Sequence, residues 1–139
     1  MKIAVYSQSY DKSTNKIMQD LLDLGKQYDI KFYLESDFYK LLKINSSILP
    51  NQNTFSSYGD LNNSFDLMIT IGGDGTLLRS VSFVRNLEIP IIGINTGRLG
   101  FLATINQDLL KFEMSKILLG KYKIEKRTLL EVKIKGSKI

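Results

Sequence analysis

The sequence predicts an α/β fold built on a doubly wound, mostly parallel sheet. Three observations carry that expectation. Short apolar runs alternate with stretches of helical period along the first hundred residues. One run, Ile89-Pro90-Ile91-Ile92-Gly93-Ile94-Asn95, is almost continuously β-branched, as suits a strand buried on both faces. A glycine cluster, Gly72-Gly73-Asp74-Gly75-Thr76, lies between the apolar run Leu67 to Ile71 and an amphipathic stretch from Leu77 to Val84. That order reads as strand, tight turn, helix.

The elements follow in chain order. Residues 2–7 form a short apolar strand. Ser13 or Thr14 is placed to cap a helix running to about Tyr28, with Ile17, Leu21, Leu24 and Tyr28 on one stripe. Residues 30–34 read as a second strand and Asp37 to Leu42 as a short helical piece. From Asn45 to Ser64, 11 of 20 residues are Asn, Ser or Gln, so this segment is expected to be a long polar loop, an insertion or a flexible flap. Asp66 to Ile71 is the third strand, and Thr76 to Asn86 a helix with Leu77, Val81 and Val84 on one face. After the strand ending at Asn95, Thr104-x-x-Gln107 fits a capping box for a helix reaching about Leu119. Leu110, Met114, Ile117 and Leu118 give that helix its apolar face, and Gly120 follows as a C-terminal cap. Leu129 to Ile134 alternates in part like a half-buried strand. A lone strand cannot bury its face. The expectation is therefore an α/β nucleotide-binding domain over 1–100, then the truncated start of a second, all-β domain over 101–139. No internal repeat is present.

Composition narrows the chemistry. With 43% hydrophobic and 24% charged residues in 139, the chain matches ordinary globular domains. Cysteine is absent, which excludes disulfides and thiolate catalysis and fits a reducing, cytoplasmic setting. Histidine is absent too, so a general base has to be a carboxylate, Lys, Tyr or water, and no metal-binding residue is assigned. No apolar run reaches the roughly 18 residues of a membrane span, and the N-terminus lacks a signal-peptide pattern. The net charge of +5 is either a solvated lysine-rich surface or an attraction for polyanions such as nucleotides. The cations are scattered, with no run longer than Lys126-Arg127, so neither nucleic acid nor membrane is an expected partner.

The site candidates lie at strand ends, where parallel sheets bind ligands. Of the 14 carboxylates, Asp74 is the one flanked by glycines on both sides. As a helix cap it would be a structural residue. Beside an anion-holding turn it suits chemistry on a hydroxyl next to a phosphate, orienting the hydroxyl and accepting its proton late. Gly72, Gly73 and Gly75 are turn glycines or phosphate contacts, and Thr76 either offers its hydroxyl to phosphate or begins the helix. The pattern matches neither the Walker A loop nor G-x-G-x-x-G. A second constellation follows, Asn95-Thr96-Gly97-Arg98-Leu99-Gly100-Phe101-Leu102. Asn95 is placed to hydrogen-bond the neighbouring loop or a ligand, with Gly97 and Gly100 as structural residues near the site. Arg98 is a phosphate ligand or a surface cation. Phe101 is a core residue or a platform for a base.

Together the two segments resemble the NAD kinase family. The first motif is shared with diacylglycerol and sphingosine kinases and, loosely, with phosphofructokinases, whereas Asn95-x-Gly97-x-Leu99-Gly100-Phe101 is more specific. Glu125-x-Arg127 and Leu129 to Val132 resemble the opening of that family's second domain. The resemblance implies phosphorylation of the adenosine ribose 2′-hydroxyl of NAD, with ATP or polyphosphate as donor and a divalent cation, magnesium, accompanying the ATP. It implies that Asp74 accepts the hydroxyl proton, that Asp74, Gly75, Phe101 and Leu102 meet NAD, and that the full protein is a homo-oligomer. The family's later Asn-Glu and Gly/Thr/Ser-rich motifs do not occur here, so this chain is expected to be an inactive fragment on its own. The rival readings are a lipid kinase domain, which would want a different glycine-rich segment after the next strand, and a non-catalytic nucleotide-binding module.

Overall fold

The computed structural model describes residues 1–46 and 51–136. Six strands form one parallel sheet: β1 (Lys2–Ser7), β2 (Lys31–Glu35), β3 (Asn53–Phe55), β4 (Leu67–Gly72), β5 (Ile91–Asn95) and β6 (Ile105–Asn106). Their spatial order is β3-β2-β1-β4-β5-β6. The chain winds outward from β1 in one direction, then returns to β1's other side and winds the opposite way. The reversal lies between β1 and β4, which pair over Ile3–Ser7 and Leu67–Ile71. Crevices at the carboxyl ends of such a pair are where open α/β sheets take ligands.

Alternating residues sort onto two cores. Ile3, Val5, Leu34, Ile69, Ile71 and Ile94 face one core. It is closed by helices α1 (Lys12–Tyr28), α2 (Ser36–Asn45) and α4 (Leu110–Leu118) through Ile17, Leu21, Phe38, Leu42, Leu110 and Met114. Ala4 and Met68 face the other, covered by α3 (Asp74–Val84) through Val84 and by Phe55, Leu61 and Phe65. The doubly wound parallel expectation is borne out.

Several local expectations are corrected. Helix α1 begins two or three residues earlier than a Ser13 or Thr14 cap would allow. Asp11 is the cap, its carboxylate accepting from the Thr14 N–H at 2.8 Å while Thr14 Oγ1 accepts from the Asp11 N–H. The 45–64 segment is not simply a polar loop. Residues 47–50 lie outside the described residues, but beyond them the chain forms β3 on the sheet edge and a 3-10 turn at Tyr58–Asp60. Buried Phe55 and Leu61 anchor it, and two apolar contacts outweigh the polar composition around them. The capping box at Thr104 does not form. Thr104 is exposed, Gln107 Oε1 is buried without a partner among the described residues, and Asn106 caps a 3-10 turn that leads into α4. Gly120 does close α4 as expected, at φ +74°, with Gly120 N–H bonding Ile117 O and Lys121 N–H bonding Lys116 O.

β6 and α4 join this sheet and its core, beyond the residue 100 at which the sequence pattern divides the chain. The strand expected over Leu129–Ile134 is absent from the described residues, which are exposed and without strand pairing from Lys121 to Gly136. A strand needs a paired neighbour, and no strand pairing is formed over these described residues.

Candidate active site

The glycine turn stands at the carboxyl end of β4, next to the reversal point. Gly72 has φ +152°, a conformation disfavoured for other residues, and a Cβ there would meet Thr76. Gly73 is the N-cap of α3, and its own lack of a side chain leaves the cap without a side-chain acceptor. Asp74 is therefore the first residue of the helix rather than its cap. The space beside Gly73 and Gly75 is open, with nothing within 4 Å of a Cβ placed on either.

Asp74 reaches instead across to the segment after β5. Its Oδ2 accepts the Phe101 N–H at 2.9 Å, and its Oδ1 accepts the Leu102 and Ala103 N–H groups at 3.0 and 2.9 Å. The two motifs thus meet through one carboxylate, 27 to 29 residues apart in sequence. The Ala103 N–H and then the Leu102 N–H hold the Asp74 carboxyl below the ordinary carboxylate range against the opposing effect of desolvation, with the Phe101 N–H adding a weaker pull the same way. The group is ionised at neutral pH.

Asn95 sets the shape of that segment. It is 3% exposed, its Oδ1 accepts the Gly97 N–H at 2.8 Å and its Nδ2 donates to Ala103 O at 3.3 Å. Of its two readings, loop or ligand, the loop contacts are the ones present. Gly97 lies within this turn, and Gly100 lies against Asp74. Phe101 is 93% exposed, so it is not a core residue, and Leu99 and Leu78 are exposed as well. Leu102 is half-buried. Arg98 is exposed on the same loop, and the structure brings it into no ion pair among the described residues.

Two residues that the motif reading omits join the site. Thr76, buried at the start of α3, faces Gln8 beyond the end of β1. With its amide oriented to satisfy its neighbours, Gln8 donates to Thr76 Oγ1 at 3.2 Å and accepts from Arg79 Nε at 3.0 Å and Nη1 at 3.2 Å. This bridge spans the reversal point and orients a guanidinium there. The signal available in the sequence was position alone: Gln8 follows a strand end and Arg79 lies on the first turns of the helix after the glycine turn. Two other carboxylates at this edge are committed to backbone. Glu35 caps α2 through the Asp37 and Phe38 N–H groups, and Asp11 caps α1. Among the three, Asp74 is the one set amid open glycines.

Residues 7–122 match the family described as ATP-NAD kinase N-terminal domain. The chain belongs to the NAD kinase family. The NAD kinase of Flavobacterium psychrophilum is 47% identical over 133 residues, covering 96% of this chain and 45% of the relative. That of Christiangramia forsetii is 44% identical over 130 residues, covering 94% and 44%. The chain thus spans less than half the length of these NAD kinase relatives. Among solved structures, a yeast NADH kinase complexed with NADH superposes with a TM-score of 0.67 at 18% identity, over 87% of this chain and 38% of that one, which shows the shared fold. An NAD kinase from Archaeoglobus fulgidus in complex with ATP gives a TM-score of 0.52 at 25% identity, over 85% and 37%. The family resemblance carried by Gly72–Thr76 and Asn95–Phe101 is borne out.

Proposed function

We propose that the protein carrying this chain is an NAD kinase, transferring the terminal phosphoryl group of ATP to the adenosine ribose 2′-hydroxyl of NAD. The observation that carries the reading is the Asp74 carboxylate, held at an open glycine turn and joined to the second family motif. Phosphoryl transfer asks mainly for positioning and electrostatic stabilisation, and this site offers both. Asp74 orients the hydroxyl and accepts its proton. Gly75, Phe101 and Leu102 form the NAD-facing side, where exposed Phe101 stacks on a base. Gly72, Gly73, Gly75 and Thr76 face phosphate with the N–H groups that open α3, and Arg98 adds a cation. Asn95, Gly97 and Gly100 hold the loop. The relatives' names and the nucleotides bound in the two solved structures support this assignment.

A divalent cation is part of the reading only as a companion of ATP. Among the described residues no group of three His, Cys, Asp or Glu side chains is placed to hold a metal ion. Magnesium would arrive on the nucleotide phosphates, and no step is routed through it. We further propose that the β-rich second domain begins after α4 and supplies the rest of both nucleotide sites, that assembly into homo-oligomers belongs to that longer protein, and that it works in the cytoplasm. In this chain no described helix is long and apolar enough to cross a membrane.

The test is NADP formation from NAD and Mg-ATP by the open reading frame expressed to its stop codon, beside the 139-residue chain alone. NADP from the former and none from the latter is the expected pair. No NADP with either ATP or polyphosphate as donor would defeat the reading and favour a lipid kinase or a binding module.

A further inference from the structure

We infer that Asp74 offers a substrate hydroxyl one acceptor position, on Oδ2, and that Gly100 is the positioning residue that permits it; this rests on the kinase reading above. An ionised carboxylate has about four lone-pair sites. Here Oδ1 accepts two backbone N–H groups and Oδ2 accepts one. Three positions are spent on holding the group, and one remains. The bond to Phe101 occupies one side of Oδ2, so the free position is defined in direction as well as in number.

Gly100 decides whether this arrangement exists. A Cβ on Gly100 would stand 2.7 Å from Asp74 Oδ2 and closer still to Oδ1 and Cγ. The obstacle is not a flexible side-chain tip, because the carboxylate is pinned at both oxygens by the three residues that follow Gly100. Any side chain at 100 has to displace the carboxylate from all three donors or push the 101–103 backbone away. The motif glycine is thus a requirement of close approach. Its neighbours Gly73 and Gly75 have open space beside them, which leaves room for a ligand rather than for the carboxylate.

In the reaction, the hydroxyl proton passes to Oδ2 as the hydroxyl oxygen bonds the terminal phosphorus of the nucleoside triphosphate. The bond from that phosphorus to its bridging oxygen breaks, and the electron pair leaves with the nucleoside diphosphate. Oδ2 later returns the proton to water. The other charged groups on the elements that carry or hold Asp74 are Arg79 on α3, Arg85 just past its C-terminal end, and Arg98 on the loop after β5. None forms an ion pair with Asp74 among the described residues. The N–H trio therefore governs both the direction and the charge of the carboxylate, in line with its lowered pKa.

The test is Gly100→Ala in the full-length protein, followed by NADP formation across pH. Turnover is expected to fall on the order of 10²-fold, the scale of an ångström-sized misplacement. The acid limb of kcat is expected to move to higher pH as the carboxyl loses its donors. Less folded protein with an unmoved acid limb and unchanged turnover per folded molecule would make Gly100 a folding residue only and overturn the inference. Amide NMR on the unsubstituted protein decides the matter if the variant does not fold, or if the protein makes no NADP. The Phe101, Leu102 and Ala103 N–H resonances are expected to titrate together, with a midpoint below the ordinary carboxylate range. Separate titration, or a midpoint at the ordinary value, overturns it. Absence of NADP from the unsubstituted protein counts against the kinase reading and leaves the amide titration to judge the clamp.

Discussion

At the scale of single residues, Asp74 pins the loop after β5 and is also the proposed base. Its depressed pKa makes it a weak base, suited to accept a proton late in a transfer governed by positioning. Asp74→Asn keeps an oxygen that can face the Leu102 and Ala103 N–H groups but puts an amide NH2 toward the Phe101 N–H. The loop should loosen at Phe101 while the fold persists. Turnover in the full-length protein is expected to fall by about 10²- to 10⁴-fold, the usual worth of a general base, with an unchanged circular dichroism spectrum. Unchanged turnover would leave Asp74 as a loop clamp alone. The linkage sign follows from the lowered pKa. The ionised clamp contributes stability above the unfolded-state value near ~3.9, and loses it as pH falls through the folded value. The loop should therefore stay pinned at every pH near neutrality. The glycine-flanked carboxylate was legible in the sequence, because its composition is unusual. Its partners were not, since backbone N–H groups 27 to 29 residues away leave no mark on residue type.

At the scale of elements, the loop after β5 is a built structure rather than a connection. Asn95 closes it from inside, and Asp74 closes it from the helix. Asn95→Ala removes the acceptor of the Gly97 N–H and the donor to Ala103 O in a nearly closed setting. It is expected to cost about 1–3 kcal/mol in urea unfolding, as for a buried polar group left unpaired. Turnover should fall as well, because the Ala103 N–H that holds Asp74 is displaced. A variant with full stability would show that the loop keeps its shape without Asn95. Long elements with a clear stripe, such as α1 with Ile17, Leu21 and Leu24, were legible because periodicity accumulates over turns. β3 was not. Three residues are too few for a period to show, and Asn53–Phe55 becomes a strand through its register with Tyr33–Glu35 and the burial of Phe55. The caps also slipped. Asp11 and Asn106 each lie near other cap-forming side chains, and local sequence does not rank them.

At the scale of the molecule, alternation of strand and helix identified a parallel doubly wound sheet, but not that β1 and β4 would be neighbours. That pairing joins segments 64 residues apart, and it places Gln8 beside Thr76 and Arg79. The same view separates a packed part from an exposed one. Both sheet faces are covered through α4, and the Gly120 cap closes it. From Lys121 to Gly136 every residue is exposed, including Ile124, Leu129, Leu130, Val132 and Ile134. So much apolar surface in one short stretch is the mark of a face that normally meets a partner, which here is the remainder of the proposed second domain. If so, the segment contributes little to the stability of the sheet and much to the stickiness of the isolated chain. Ending the chain after Gly120 is then expected to change its unfolding free energy by no more than about 0.5 kcal/mol, the range for surface changes. It should also reduce dye binding to exposed apolar surface and slow aggregation. A large loss of stability on that truncation would show that residues 121–139 fold back onto the sheet in solution, and the proposed division between the first domain and the second would have to move.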